Sequence, residues 1–241
     1  MSALLDPEPA GAPRRPWYRR YPVAIFLGAL VLTFFASPFD MQLRNGDLVE
    51  VVQLTVVLSF ALLAMGGRRK TLHIALALAI PALLGKWINH WWPASIPDIL
   101  FTAPALMFVV FVVVHLLRFI LRAPRIDSEV LSAGVAGYLM IGLLWASAYL
   151  LIDRMSPSAF AFTVGPDSVH SMKGFTVLYF SLITLSTVGY GDIVPVSAPA
   201  RMLAMMEAIV GTLYMAVLVA RLVSMHASAT RATSTDDSNA P

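Results

Sequence analysis

Lys173-Gly174-Phe175-Thr176-Val177-Leu178-Tyr179-Phe180-Ser181-Leu182-Ile183-Thr184-Leu185-Ser186, running directly into Thr187-Val188-Gly189-Tyr190-Gly191-Asp192, decides how this chain is read. The first part, 173–186, is apolar but too short to cross a hydrocarbon core, which needs about 20 residues in a helix. Alone, it would read as an ordinary interfacial helix. The continuation changes that reading, because two glycines separated by one residue allow backbone with φ > 0. A strand of that kind directs successive carbonyls to one side instead of alternating them. Irregular backbone at membrane depth is tolerated only inside protein or beside water. Four such strands around an axis would stack rings of oxygens able to replace the hydration shell of a cation. Val188 and Tyr190 would then point away and pack behind the strand, with the Thr187 hydroxyl supplying the innermost ring. The short helix would aim its partly negative C-terminal end at the central space.

Thr187–Asp192 resembles the signature of potassium channels, whose selectivity filter is built from TVGYG loops. The resemblance covers about 130–225 in the order helix, short helix, filter, helix. It is closest to small bacterial channels with one pore module per chain, within the ion-channel pore family that includes two-pore-domain channels. It implies K+ at Thr187, Val188, Gly189 and Tyr190, as a permeant ion and with no cofactor. It further implies Asp192 as the outer-mouth carboxylate, support of the filter from Tyr179, Phe180, Ser181 and Thr184, and a hinge of the inner helix at Gly211. The chain departs from the pattern at Ile183, where one bacterial relative has a glutamate, and at Tyr179, where many relatives have tryptophan. No second TVGYG-like segment and no internal repeat is present. One chain therefore cannot close a fourfold ring, and a homotetramer is expected.

Outward from this motif the chain is 58% hydrophobic and only 13% charged, against roughly 25% charged for a soluble domain. Six apolar runs are long enough to span, at Pro22–Phe39, Leu48–Met65, Thr71–Ile88, Ile99–Leu121, Val130–Ile152 and Met202–Val223. Pro81 is expected to kink the third. No small-residue cleavage site follows Phe35-Ala36-Ser37-Pro38, so the first run is read as a retained helix and not a signal peptide. Alternating crossings put 12 of the 17 Lys and Arg on one side, including Arg14, Arg15, Arg19, Arg20, Arg68, Arg69 and Lys70. By the positive-inside rule that side, with both termini, is cytoplasmic. The net charge of +3 is thus a matter of orientation, and no nucleic-acid partner is implied. Trp87, Trp91 and Trp92 fall in an outside loop, as interfacial aromatics.

The expected architecture is an all-α integral protein of the cell membrane: six transmembrane helices, a re-entrant pore helix and a filter, in a fourfold tetramer. Its parts are a basic tail (1–21), a four-helix region (22–121), a linker (122–129), a pore domain (130–225) and a tail (226–241) expected to be disordered. Within the pore domain lie the pore helix (173–186), the filter (187–191) and the inner helix (202–223). The fourth run has no Arg or Lys between Ile99 and Leu117, so no voltage sensor is read there. Arg118, Arg122 and Arg125 read as cytoplasmic anchors. The five histidines show no metal spacing, Glu50 and Gln53 read as hydrogen-bonding groups within a bundle, and no nucleophile–base pair supports an enzyme.

Glu207 is the one carboxylate expected inside the last helix, where a charge costs roughly 2.5–3.5 kcal/mol. It lies about 100° from the stripe of Ala208, Thr212, Met215 and Val219, which the resemblance turns toward the ion cavity. Glu207 is expected to hydrogen-bond pore-helix hydroxyls such as Ser181 or Thr184 and steady the filter from behind. The plainer alternative is a packed helix contact with no part in gating. For the whole chain, the alternatives to a potassium channel are a nonselective cation channel on the same scaffold and a subunit that works only in a mixed tetramer with a regulatory partner.

Overall fold

The computed structural model describes residues 22–40, 46–64, 69–91, 99–123, 127–156, 158–165 and 170–238. The basic tail 1–21, Trp92 and Arg125 lie outside the described residues. Seven helices and one small sheet result: α1 (Pro22–Asp40), α2 (Gly46–Ala64), α3 (Arg69–Trp91), α4 (Ile99–Arg122), α5 (Ser128–Met155), β1 (Phe160–Phe162), α6 (Gly174–Leu185), β2 (Ile193–Pro195) and α7 (Ala198–Ser238). Among the described residues, three stretches are long and apolar enough to cross a membrane: Ala103–Arg122, Ser128–Met155 and Ala198–Ser224. Pro22–Pro38, Leu54–Ala64 and Thr71–Gly85 are shorter apolar helical stretches.

The helices pack in sequence. α1 lies on α2, α2 on α3, α3 on α4, and both α1 and α4 on α5, so the first four form a bundle against the outer helix of the pore region. Phe26, Leu30, Leu58, Phe108, Val112 and Met140 fill the shared core. Helix ends, where backbone groups lack intrahelical partners, supply the polar links. Asp127 caps α5 through Oδ1, which accepts from the Val130 N–H at 2.9 Å. The neighbouring Glu129 reaches across to α1 and accepts from the N–H groups of Val23 at 2.9 Å and Ala24 at 3.3 Å. At the other terminus type, Arg221 of α7 donates from Nη2 to the carbonyls of Leu121 at 3.2 Å and Ala123 at 3.0 Å, at the end of α4.

Three expectations change. Trp87 and Trp91 do not sit in a loop: α3 runs on to Trp91 and carries both in its last turns. The segment from 226, read as disordered, is helical to Ser238 as the continuation of α7. No Gly or Pro interrupts 212–238, and extending an existing helix adds one hydrogen bond per residue without a new nucleus. The β1–β2 hairpin was not foreseen. It is antiparallel, pairing Phe160 with Pro195, Ala161 with Val194 and Phe162 with Ile193, and it brackets the pore helix and filter.

Candidate functional site

α6 spans 12 residues and stops at Leu185. Its free carbonyls are taken up by the chain that follows: Thr187 N–H donates to Thr184 O at 2.9 Å, Val188 N–H to Ile183 O at 2.9 Å and Gly189 N–H to Ile183 O at 3.2 Å. These bonds fold the start of the glycine-rich strand directly onto the helix end. Beyond it, φ is +60° at Thr187, +51° at Gly189 and +79° at Gly191. Positive φ thus falls on alternate residues, which lets successive peptide groups face one side. Thr187 is the sole non-glycine with positive φ among the described residues. The sequence points to the two glycines but not to this third position. The Thr187 hydroxyl donates to Ser186 O at 2.7 Å.

All of 186–191 is exposed in the single chain. Val188 is 52% and Tyr190 72% exposed, so neither is covered by residues of its own chain.

The outer end is held from two directions. Tyr179 of α6 donates its hydroxyl to Asp192 Oδ2 at 2.7 Å, while Oδ1 accepts from the Ile193 N–H at 3.0 Å. From the hairpin, the Thr163 N–H donates to Asp192 O at 2.9 Å, and its hydroxyl lies 2.9 Å from Gly191 O and 3.2 Å from Asp192 O. Thr163 had no part in the sequence reading. The aromatic alternation Phe160-Ala161-Phe162 before it was the available signal.

Behind α6, Glu207 is fully buried. Ser181 Oγ lies 2.5 Å from Glu207 Oε1 and 2.7 Å from Gly142 O, and its one proton serves one acceptor at a time. Tyr149 of α5 donates to Glu207 Oε2 at 2.5 Å. Of the two pore-helix hydroxyls expected to reach Glu207, Ser181 does so. The second carboxylate oxygen is taken by Tyr149, which the sequence did not single out. The Tyr149 ring packs edge-on against Phe160 and Phe180, with centroids 5.8 and 4.9 Å away, so hairpin, α5, α6 and α7 meet there.

On α7, Glu207, Gly211 and Tyr214 form the buried face. A Cβ on Gly211 would overlap the Leu185 carbonyl, so this glycine lets α7 touch the end of α6. The helix passes through it unbroken. Thr212, Met215 and Val219 lie exposed on the remaining surface, with Thr212 Oγ1 donating to Ala208 O at 2.9 Å. No group of His, Asp and Glu able to hold a metal occurs among the described residues.

Comparison with known proteins bears on the same region. Residues 137–227, from within α5 into α7, match a family model described as "Ion channel". This segment is an ion channel pore domain, in a membrane protein whose described residues are helical apart from one two-stranded sheet. "Two pore potassium channel b" of Oryza sativa subsp. japonica is 34% identical over 70 residues, which are 29% of this chain and 16% of that protein. No solved structure matches the chain.

Proposed function

We propose that the chain is one subunit of a potassium-selective channel that conducts K+ passively across the cell membrane. The observation that carries this reading is the alternation of positive φ at Thr187, Gly189 and Gly191, directly after a helix too short to span. Four such strands around one axis supply stacked oxygen rings from Thr187, Val188, Gly189 and Tyr190, in place of water around K+. The exposure of Val188 and Tyr190 supports a homotetramer, in which the neighbouring subunit covers them. The name of the rice relative agrees with the choice of ion over the matched 70 residues.

In this reading the chain crosses six times with both termini in the cytoplasm. Thr212, Met215 and Val219 line the ion cavity, Gly211 is where the inner helix bends, and Tyr179, Thr184, Asp192 and Glu207 support the filter. Voltage dependence is shallow, because 99–117 carries no Arg or Lys. The full-length protein, purified and reconstituted into planar bilayers, tests the proposal. Under a K+/Na+ gradient the current should reverse near the K+ equilibrium potential. Equal permeability to the two ions, or a conducting species smaller than four subunits, would overturn it.

A further inference from the structure

The filter is anchored by a residue that lies outside the pore loop. Thr163 follows β1 directly and Asp192 precedes β2 directly, so the hairpin register (Phe162 opposite Ile193) brings Thr163 opposite Asp192. The backbone completes this pairing, with Thr163 N–H donating to Asp192 O at 2.9 Å. The threonine hydroxyl then reaches one residue further back along the chain, to the carbonyl of Gly191 at 2.9 Å. Gly191 has φ +79° and is where the chain leaves the filter and turns into β2.

The two arms on this corner hold different atoms. Tyr179 holds the Asp192 carboxylate, from within the pore loop. Thr163 holds backbone: the Asp192 carbonyl through its N–H and the Gly191 carbonyl through its hydroxyl. The hairpin that carries Thr163 is itself fixed. Phe160 is buried, edge-on to Tyr149 and to Phe180 at 5.4 Å, and the Ala159 carbonyl accepts from Val196 N–H at 2.8 Å. The Gly191 carbonyl therefore faces a donor mounted on a rigid platform.

We propose that Thr163 is a positioning residue for the filter: its hydroxyl holds the Gly191 carbonyl, and so fixes the end of the strand next to the outermost oxygen ring, that of Tyr190. The inference rests on the channel reading above. A carbonyl that loses this donor is free to rotate, and the corner loosens. K+ bound at the outermost ring, from the outer side, should hold the loosened strand end in place. A threonine that merely stabilised the hairpin would have neither effect, because valine matches its shape and suits a strand equally well.

Full-length wild type, Thr163→Val, Thr163→Ala and Thr163→Ser, reconstituted in planar bilayers, separate these roles. All three keep the backbone N–H, and the position is exposed, so assembly should be unaffected. Thr163→Val and Thr163→Ala should show current that decays about fivefold faster during sustained recording, the scale of one lost neutral hydrogen bond. Raising external K+ should slow that decay toward the wild-type rate, while Thr163→Ser should behave as wild type. Wild-type decay and K+ dependence in either Val or Ala variant would overturn the role of Thr163 and leave the channel reading intact. A wild-type protein that passes no K+-selective current would overturn the channel reading itself.

Discussion

Glu207 is a carboxyl with no exposed surface, its two oxygens each 2.5 Å from a hydroxyl, of Tyr149 and of Ser181. Tyr149→Phe keeps the ring against Phe160 and Phe180 but leaves Oε2 without its donor, an unmet buried group worth about 1–3 kcal/mol. Thermal melting of the solubilised protein should show that loss. Glu207→Gln retains the shape, and single-channel recording should show altered open times or inactivation at unchanged selectivity; wild-type kinetics would leave Glu207 only a packing role. At the filter, Gly189 and Gly191 have nothing within 4 Å of where a Cβ would sit. Conformation and not crowding decides there, since an L-residue forced to left-handed φ costs about 1–2 kcal/mol. Gly191→Ala should therefore assemble but discriminate K+ from Na+ poorly, and an unshifted reversal potential would count against the filter assignment. The glycines and Glu207 were legible in the sequence from residue type and helical spacing, and a contact with Ser181 or Thr184 from the depth that the resemblance implies for the short helix. Tyr149 was not, because it reaches Glu207 across 58 residues of chain by packing alone.

Between elements, the closest approach is where α7 passes the end of α6. Gly211 meets the Leu185 carbonyl there, a backbone group that cannot turn aside as a side chain would. Gly211→Ala should push α7 away from α6 at a cost of about 1–3 kcal/mol, read as a lower melting temperature of the solubilised protein. A melting point at or above wild type would mean that the two helices separate freely at this level, as a bending site would allow. Helices α4, α5 and α6 were legible almost to their ends, since each is a long or sharply bounded apolar run. The hairpin was not. Its strands have three residues each, so the alternation Phe160-Ala161-Phe162 is too short a signal to name a strand, and their pairing depends on partners on opposite sides of α6.

Across the whole molecule, two charged side chains of the pore region cap the ends of helices in the four-helix bundle. Glu129 meets the N-terminus of α1 and Arg221 the end of α4, each with the sign that suits the helix dipole. Hydrogen bonds to charged groups contribute about 1.5–3 kcal/mol. Arg221→Gln should let the last turn of α4 fray, seen as faster amide hydrogen exchange at 119–123, with the filter segment unchanged. Unaltered exchange there would show that apolar packing alone joins the bundle to the inner helix. Neither cap was legible: in the sequence Arg221 is one more cytoplasmic basic residue, and only the docking of α7 beside α4 gives it carbonyls to bind.

The sequence by itself determined that the chain is a helical membrane protein, where the short helix and the glycine-rich strand fall, and which two glycines give that strand its positive φ. Those properties follow from local length, hydrophobicity and backbone freedom. Tertiary structure alone decided what holds the strand in place. Thr163, Tyr149 and Arg221 act on groups 28, 58 and about 100 residues distant. A hydrogen bond depends on separation in space, which the spacing of residues along a chain does not reveal until its elements have packed.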